Sequence, residues 1–153
     1  MAKVLILMGS KNDLSVAEKG IPIFKKFGIE YQIVVASAHR TPKRVEELVT
    51  KSDADVFIAI AGMSAALPGV VAALSTKPVI GVPVSGTISL DALLSVTQMP
   101  PGIPVAAVGL DRGDNAAILV AEILSVGNPA FRDKLKEYRK EMEAKVIADS
   151  NSL

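Results

Sequence analysis

Short runs of continuously apolar residues alternate with longer segments that carry apolar residues at helical spacing, and this alternation constrains the fold more than any other feature. A strand that is buried on both faces has apolar side chains throughout, rather than at every second position. Runs of this kind predict strands at residues 4–8, 31–36, 56–60, 78–84 and 105–110. The remaining segments predict five helices. The first lies at about 12–27, with a kink at Pro22 as the alternative to a continuous helix, and the second begins at Thr41-Pro42 with Thr41 as N-cap. The third follows 61–64 and ends at 74, and the others lie at 90–96 and 115–124.

Five strands that alternate with helices predict an α/β domain with a parallel sheet and helices on both faces. Because crossovers between parallel strands are right-handed, few topologies remain, and we expect the flavodoxin-like strand order 2-1-3-4-5. The chain has 153 residues, enough for one domain with a substantial core. The sequence therefore predicts one flavodoxin-like, three-layer α/β/α domain over residues 1–153, with five parallel strands and one extra C-terminal helix.

The extra helix is expected at about residues 128–147, where Asn128-Pro129 begins an amphipathic pattern. Its apolar stripe consists of Phe131, Leu135, Tyr138, Met142 and Val146. The faces of the sheet already have their helices, so this one is expected to pack at an edge or on a neighbouring subunit. A helix that closes its own domain is an equally good interpretation. Residues 149–153 are expected to fray.

Composition excludes several classes of function. Hydrophobic residues make up 50% of the chain and mean hydropathy is +0.39, so either burial is extensive or copies of the chain cover one another. Net charge is +1 with mixed signs, and no basic stripe is present to bind a nucleic acid. Cysteine is absent and His39 is the only histidine, which excludes disulfides, thiolate catalysis and multi-histidine metal sites. No apolar run has the length of a membrane span, so we expect a cytoplasmic protein with no membrane partner.

Three loops should meet at one edge of the predicted sheet. In this strand order the first and third strands flank the switch point, where ligands bind beyond the carboxyl ends of the strands. The second strand lies beside the first, so its loop joins them. The candidate site residues in these loops are Gly9, Ser10 and Asp13, then Ser37, Ala38, His39 and Arg40, and finally Ala61, Gly62 and Ser64.

The residues of these loops can be interpreted either chemically or structurally. Gly9-Ser10 before a helix suits a phosphate, although a glycine after a buried strand is common in such folds. Asp13 would repel a phosphate, so it is expected to cap the helix or to accept hydrogen bonds from sugar hydroxyls. His39 is the candidate for proton transfer because imidazole titrates near neutral pH, and Arg40 is a natural anchor for phosphate or carboxylate. A structural histidine and a surface arginine are the alternatives.

Several familiar catalytic motifs are absent. Neither Gly-x-Gly-x-x-Gly nor a Gly-Lys-Ser/Thr loop follows the first strand, which argues against hydride transfer and ATP hydrolysis. The Gly-x-Ser-x-Gly elbow of many serine hydrolases is also missing. The proline-rich segment 98–104 is rigid, and it is expected either to hold one wall of a pocket or to be a plain connector.

Several segments together resemble the PurE family of purine biosynthesis, from about residue 4 to the end of the C-terminal helix. The most specific of them is Ser37-Ala38-His39-Arg40-Thr41-Pro42. The others are Met8-Gly9-Ser10 with Asp13, Ala61-Gly62, Leu67-Pro68-Gly69, Gly81-Val82-Pro83-Val84, Gln98-Met99-Pro100 and Asn115-Ala116-Ala117.

The resemblance implies an N5-carboxyaminoimidazole ribonucleotide mutase activity, which moves a carboxylate from the exocyclic nitrogen to ring carbon C4. A sister form, aminoimidazole ribonucleotide carboxylase, adds free CO2 at the same carbon, and neither form uses a metal, biotin or ATP. The resemblance also implies a homo-octamer with sites between subunits. By position, Ser10, Asp13 and Arg40 would bind the ribose phosphate of a small nucleotide substrate, and His39 would transfer protons. A non-catalytic nucleotide-binding module on the same fold is the rival interpretation.

The sequence departs from the mutase pattern in three places. Asn12 stands where a second serine is usual, and the segment 63–66 lacks the histidine that ends the usual small-residue stretch. The loop 84–89 is shorter than expected. Met63-Ser64 is more similar to the carboxylase form. The segments 39–42, 67–69 and 81–84 are more similar to the mutase form, which we favour.

Overall fold

The computed structural model describes residues 3–152, and residues 3–107 contribute the five strands of one parallel sheet. The strand order is β2-β1-β3-β4-β5, and all four neighbouring pairs are parallel. The strands are β1 (Lys3–Met8), β2 (Glu30–Val35), β3 (Val56–Ala61), β4 (Val79–Pro83) and β5 (Ala106–Ala107). The predicted flavodoxin-like order is therefore confirmed.

Helices connect the strands as the alternation predicted. They are a 3-10 helix (Lys11–Asp13), α1 (Leu14–Glu18), α2 (Ile21–Phe27), α3 (Pro42–Thr50), α4 (Leu67–Leu74), α5 (Ser89–Thr97), α6 (Gly113–Ser125) and α7 (Pro129–Asn151). No helix among residues 3–152 is long and apolar enough to cross a membrane.

The two central strands are buried on both faces, which is why their sequences are continuously apolar. Leu5 and Leu7 of β1 and Phe57 of β3 belong to a core cluster with side chains of α3, α4 and α5. The alternate residues, such as Ile6 and Ile58, are equally buried and face the opposite side of the sheet, where α1 packs against β1. The sheet thus forms the middle layer of an α/β/α arrangement.

The chain divides within α6, between Ile118 and Leu119, into a first unit with the sheet and a second with the end of α6 and all of α7. The single domain over residues 1–153, and the packing of the last helix on a neighbouring subunit, stay predictions. Within the second unit, Asn128 begins α7 as expected, since its side-chain oxygen accepts a 3.0 Å hydrogen bond from the Ala130 amide.

Two helix predictions are wrong in detail. The helix expected at 12–27 is broken before Ile21, because Pro22 has no amide hydrogen and occupies the first turn of a new helix, α2, whose N-cap is Gly20. The last helix, expected to end at about 147, continues to Asn151, and the amide and hydroxyl of Ser152 both donate to the Asp149 carbonyl at its end. Leu153 lies outside the described residues.

The fifth strand is also shorter than the predicted 105–110. The Val108 amide donates to the Gly81 carbonyl and the Asp111 amide to the Pro83 carbonyl, so the chain still follows β4. Pro83 has no amide hydrogen to donate back on that side, so a regular ladder cannot continue past it.

Candidate active site

A cavity of about 710 Å³ opens at the carboxyl ends of β1, β3 and β4 and beside the loop that follows β2. All ten residues that the sequence nominated line it. They are Gly9, Ser10, Asp13, Ser37, Ala38, His39, Arg40, Ala61, Gly62 and Ser64. The structure therefore brings the three predicted loops together, and the chemical roles of their residues stay predictions.

Hydrogen bonds within the loop 37–41 fix its shape. The Thr41 hydroxyl accepts from the Ser37 amide at 2.9 Å and donates to the Ser37 carbonyl at 3.2 Å. Thr41 is the N-cap residue of α3 and Pro42 follows it, as expected, but the Thr41 hydroxyl closes the loop and makes no hydrogen bond to an amide of the helix. The Ser37 hydroxyl accepts from the Arg40 amide at 3.2 Å, so the Ser and Thr at either end pin the turn that carries His39.

His39 lies at the tip of this turn, exposed at the mouth of the cavity. Within residues 3–152 its imidazole makes no hydrogen bond and no ion pair. Both ring nitrogens are therefore available to a bound ligand, which suits a group that would give up a proton and take one back.

Arg40 bridges the first two loops. Its Nη2 donates to the Gly9 carbonyl at 2.7 Å, and its Nε donates to the Ser37 hydroxyl at 3.3 Å. These bonds orient the guanidinium group and leave Nη1 without a hydrogen-bond partner among the described residues. An arginine oriented in this way at a cavity wall can receive an anion with little further ordering.

Asp13 is the one polar or charged side chain among residues 3–152 that is buried, with 8% of its surface exposed. Burial raises the pKa of Asp13 above its ordinary value, and the hydrogen bond from the Ser10 amide and the charge of Arg40 oppose that rise only in part. The Ser10 amide donates to Asp13 Oδ2 at 3.0 Å, and the Ser10 hydroxyl accepts from the Asn12 amide, so the expected capping role is confirmed. A buried carboxylate that costs stability in a cavity is typical of a functional site.

Replacing Asp13 with Asn should raise stability at neutral pH while weakening substrate binding. A carboxyl whose pKa is raised by folding loses stability as the pH increases through that raised value, and Asn does not titrate. The Tm difference, variant minus wild type, should therefore be small near about pH 3.5 and become more positive towards about pH 7. Thermal unfolding across this range measures it, and KM reports the loss of the carboxylate.

Asp53→Asn is the matched control for the Asp13 variant. A hydrogen bond and the charge of Lys3 lower the pKa of Asp53, so the Tm difference of this variant should become more negative as the pH rises. Parallel pH trends for the two variants would contradict the assignment of Asp13 as a destabilising buried acid.

Two glycines leave space in the cavity. A Cβ placed on Gly9 would have its nearest neighbour at 3.8 Å, and one on Gly62 at 3.5 Å from the Val84 Cβ, which are ordinary contacts. Neither glycine has a positive φ. The described residues therefore do not require glycine at these two positions, and the absence of a side chain there leaves open space in the cavity.

The loop that follows β3 contains two non-glycine residues with left-handed backbones, Met63 at φ 52° and Ala65 at φ 25°. Such conformations cost energy and concentrate at functional sites. The turn is closed by a 2.9 Å hydrogen bond from the Ala65 amide to the Gly62 carbonyl. Met63 is 70% exposed, although its side chain is apolar.

Sequence reasoning missed one wall of the cavity. The segment 84–88, which we call the wall loop, follows β4 and lines the cavity along its whole length. From the sequence only its short length was noted, although β4 was expected to lie next to β3 and to end at the same edge. The segment 98–104 does not line this cavity, and its residues Gly102, Ile103 and Pro104 instead border a second cavity of about 880 Å³ at the amino ends of β3 and β4.

The chain is similar to known proteins over nearly its whole length. A protein-family model described as AIR carboxylase matches residues 3–145. An N5-carboxyaminoimidazole ribonucleotide mutase from Methanocaldococcus jannaschii is 59% identical over 151 residues, which cover 98% of this chain and 96% of that protein. The protein of the same name from Pyrococcus abyssi is 49% identical, with 94% and 85% covered. The crystal structure of Treponema denticola PurE superposes with a TM-score of 0.89 at 35% identity, covering 100% of this chain and 99% of that one.

Proposed function

The chain belongs to the AIR carboxylase family, and from that membership we propose that it is an N5-carboxyaminoimidazole ribonucleotide mutase of de novo purine biosynthesis. It converts N5-carboxyaminoimidazole ribonucleotide to 4-carboxy-5-aminoimidazole ribonucleotide. The observation that carries the proposal is that one cavity gathers a lone histidine, an oriented arginine and a buried carboxylate, in a chain 59% identical to a protein of that name. The reaction is an isomerisation, so it needs no oxidant or other reactant.

In this proposal His39 donates one proton and then accepts another. When the bond between the exocyclic nitrogen and the carboxylate breaks, its electron pair stays on the nitrogen, which takes a proton from His39, and CO2 is released. Ring carbon C4 then attacks CO2, and His39 takes the proton that C4 carried. Protons balance over the cycle, and the imidazole returns to its starting state.

Substrate binding is assigned to the neighbouring residues. Arg40 takes the phosphate, since its fork is oriented by Gly9 and Ser37 and its Nη1 is available. Asp13 accepts hydrogen bonds from the ribose hydroxyls, which explains a buried carboxylate beside a phosphate site. Ala61, Gly62 and Ser64 form the floor where CO2 must stay between the two bond changes, because their small side chains let the backbone approach the flat ring.

An assay with two donors tests the function. Purified protein is given N5-carboxyaminoimidazole ribonucleotide without bicarbonate or, separately, aminoimidazole ribonucleotide with CO2, and spontaneous loss of CO2 from the first donor is measured without enzyme. We expect much faster product formation from the first donor. Turnover from the second donor alone would favour the carboxylase form, and binding without turnover from either would favour a nucleotide-binding module.

The carboxylase form is the second candidate because of one observation. Met63, Ser64, Ala65 and Ala66 line the cavity where a mutase would bring a second histidine, so His39 has no imidazole partner in this chain. A single acid–base group is sufficient for the mutase cycle above, because His39 gives one proton to the nitrogen and recovers another from C4.

We infer that the protein is a cytoplasmic homo-oligomer, an octamer in this family, with α7 packing on a neighbouring copy. Within α7 the residues Met142, Val146 and Ile147 are between 47% and 69% exposed, although all three are large and apolar. Exposed apolar surface of this kind supports association with copies of the same chain.

Truncation before Asn128 should therefore produce smaller assemblies or aggregates. Removing α7 takes away one side of the inferred interface and exposes the apolar surface that it covered. Light scattering of the intact and truncated proteins measures the change. A monodisperse monomer for the intact protein would contradict the inferred oligomer.

A further inference from the structure

Asp111 is joined to the wall loop although 26 positions separate it from Ser85. One carboxylate oxygen accepts from the Ser85 amide at 2.8 Å, and the other accepts from the Ser85 hydroxyl. The Asp111 amide also donates to the Pro83 carbonyl at 2.9 Å, so Asp111 is bonded both to the end of β4 and to the first residues after it. Both hydrogen-bond donors of Ser85 are thereby committed to a single carboxylate.

The backbone of Asp111 is held in an uncommon conformation. Its φ is 58°, in the left-handed region that L-residues other than Asn and Asp seldom adopt. The Lys19 ammonium donates to the Asp111 carbonyl at 3.0 Å, which adds a second contact that stabilises this turn. Burial raises the pKa of Asp111, but the hydrogen bonds from Ser85 and the charge of Lys19 together outweigh that effect and hold the pKa below its usual value, so the carboxylate is charged at neutral pH.

The rest of the wall loop has few ties to the fold. Residues 85–88 are exposed, and their other hydrogen bonds within the described part of the chain are local. The Gly86 amide donates to the Ser89 hydroxyl, which in turn donates to the Gly86 carbonyl, and Ile88 accepts from Ala92 in α5. Asp111 is thus the one group among residues 3–152 that bonds residues 85–88 to a distant part of the first unit.

We propose that Asp111 is a positioning residue that holds the wall loop against the cavity through Ser85, and so retains CO2 between its release from nitrogen and its capture by C4. This inference rests on the proposed mutase function. Asp111 does not line the cavity and acts only through Ser85. When the tie is removed, the loop opens more often, CO2 escapes, and aminoimidazole ribonucleotide is released in place of the rearranged product.

The test compares three variants with the wild type. Asp111→Gly removes both bonds and still permits the left-handed backbone, whereas Asp111→Asn also permits that backbone and keeps one acceptor oxygen. Asp114→Asn is the matched control, because Asp114 pairs with Arg112 and accepts from the Asn115 amide without contacting the wall loop. Two quantities are measured: hydrogen exchange at the Ser85 amide without substrate, and the ratio of aminoimidazole ribonucleotide to product during turnover.

We expect Asp111→Gly to speed exchange at Ser85 by roughly tenfold or more, the scale of a lost hydrogen bond to a charged group, and to raise the release ratio several-fold. Asp111→Asn should lie between Asp111→Gly and the wild type, and Asp114→Asn should match the wild type in both measurements. Unchanged exchange would overturn the tie itself. Faster exchange with an unchanged release ratio would overturn the positioning role of Asp111. A wild type without turnover would refute the proposed function, and hydrogen exchange alone would then show whether Asp111 holds Ser85 in place.

Discussion

His39→Asn is expected to keep the fold and substrate binding while lowering kcat by roughly a hundredfold or more, the usual scale of lost acid–base catalysis. The imidazole is exposed at the tip of the loop 37–41 and has no hydrogen bond within residues 3–152, so Asn should change the unfolding free energy by less than about 0.5 kcal/mol. Asn can donate and accept hydrogen bonds but cannot transfer a proton near neutral pH.

Steady-state kinetics, a binding measurement and thermal unfolding together check this expectation. A Tm and a Kd close to those of the wild type, with turnover lost, assign His39 to the chemical step. Near-normal turnover would remove His39 from the mechanism and turn attention to water or to the substrate's own phosphate as the proton carrier.

Arg40→Lys is expected to raise KM by roughly tenfold or more with a smaller change in kcat. A phosphate far from the reacting ring is bound about equally in the ground and transition states. Losing part of the Arg40 contact to the phosphate therefore weakens binding of both states by a similar amount. Lysine keeps the charge but not the fork, and it cannot bond to Gly9 and Ser37 while also facing the ligand.

The two variants are informative side by side. Arg40 bonds to both Gly9 and Ser37, and if these bonds also position the ring, kcat will fall in Arg40→Lys as well. The size of the kcat decrease relative to the KM increase then measures this positioning effect. An Arg40 variant that loses kcat as severely as His39→Asn, with KM unmoved, would show that the division between binding and chemistry is wrong.

Much of the fold follows from the apolar pattern. β1 and β3 were predictable because both faces of the central strands are buried, which requires apolar side chains at every position. The right-handed crossover rule then leaves few strand orders, and the flavodoxin-like order favoured among them is the one observed. A kink at Pro22 was foreseen, but the complete break before α2 was not. The short β5 was not predicted, because it depends on where Pro83 removes one amide hydrogen.

The candidate site was predictable for a related reason. Parallel strands end at one edge of their sheet, so the sequence alone was enough to assign residues of three separate loops to one cavity. The wall loop was missed because β1 and β3 flank the switch point and β4 does not. The tie from Asp111 to Ser85 was beyond sequence reasoning, since it depends on a left-handed backbone and on a contact 26 positions away.

Retention of a carbon label tests the mutase mechanism most directly. N5-carboxyaminoimidazole ribonucleotide carrying 13C in its carboxylate is turned over in an excess of unlabelled bicarbonate, with carbonic anhydrase added to equilibrate any CO2 that leaves the protein. If CO2 stays in the cavity between release and capture, the C4 carboxylate of the product should retain nearly all of the label. A product whose carboxylate has the isotopic composition of the bicarbonate pool would contradict intramolecular transfer and identify the protein as a carboxylase that uses free CO2.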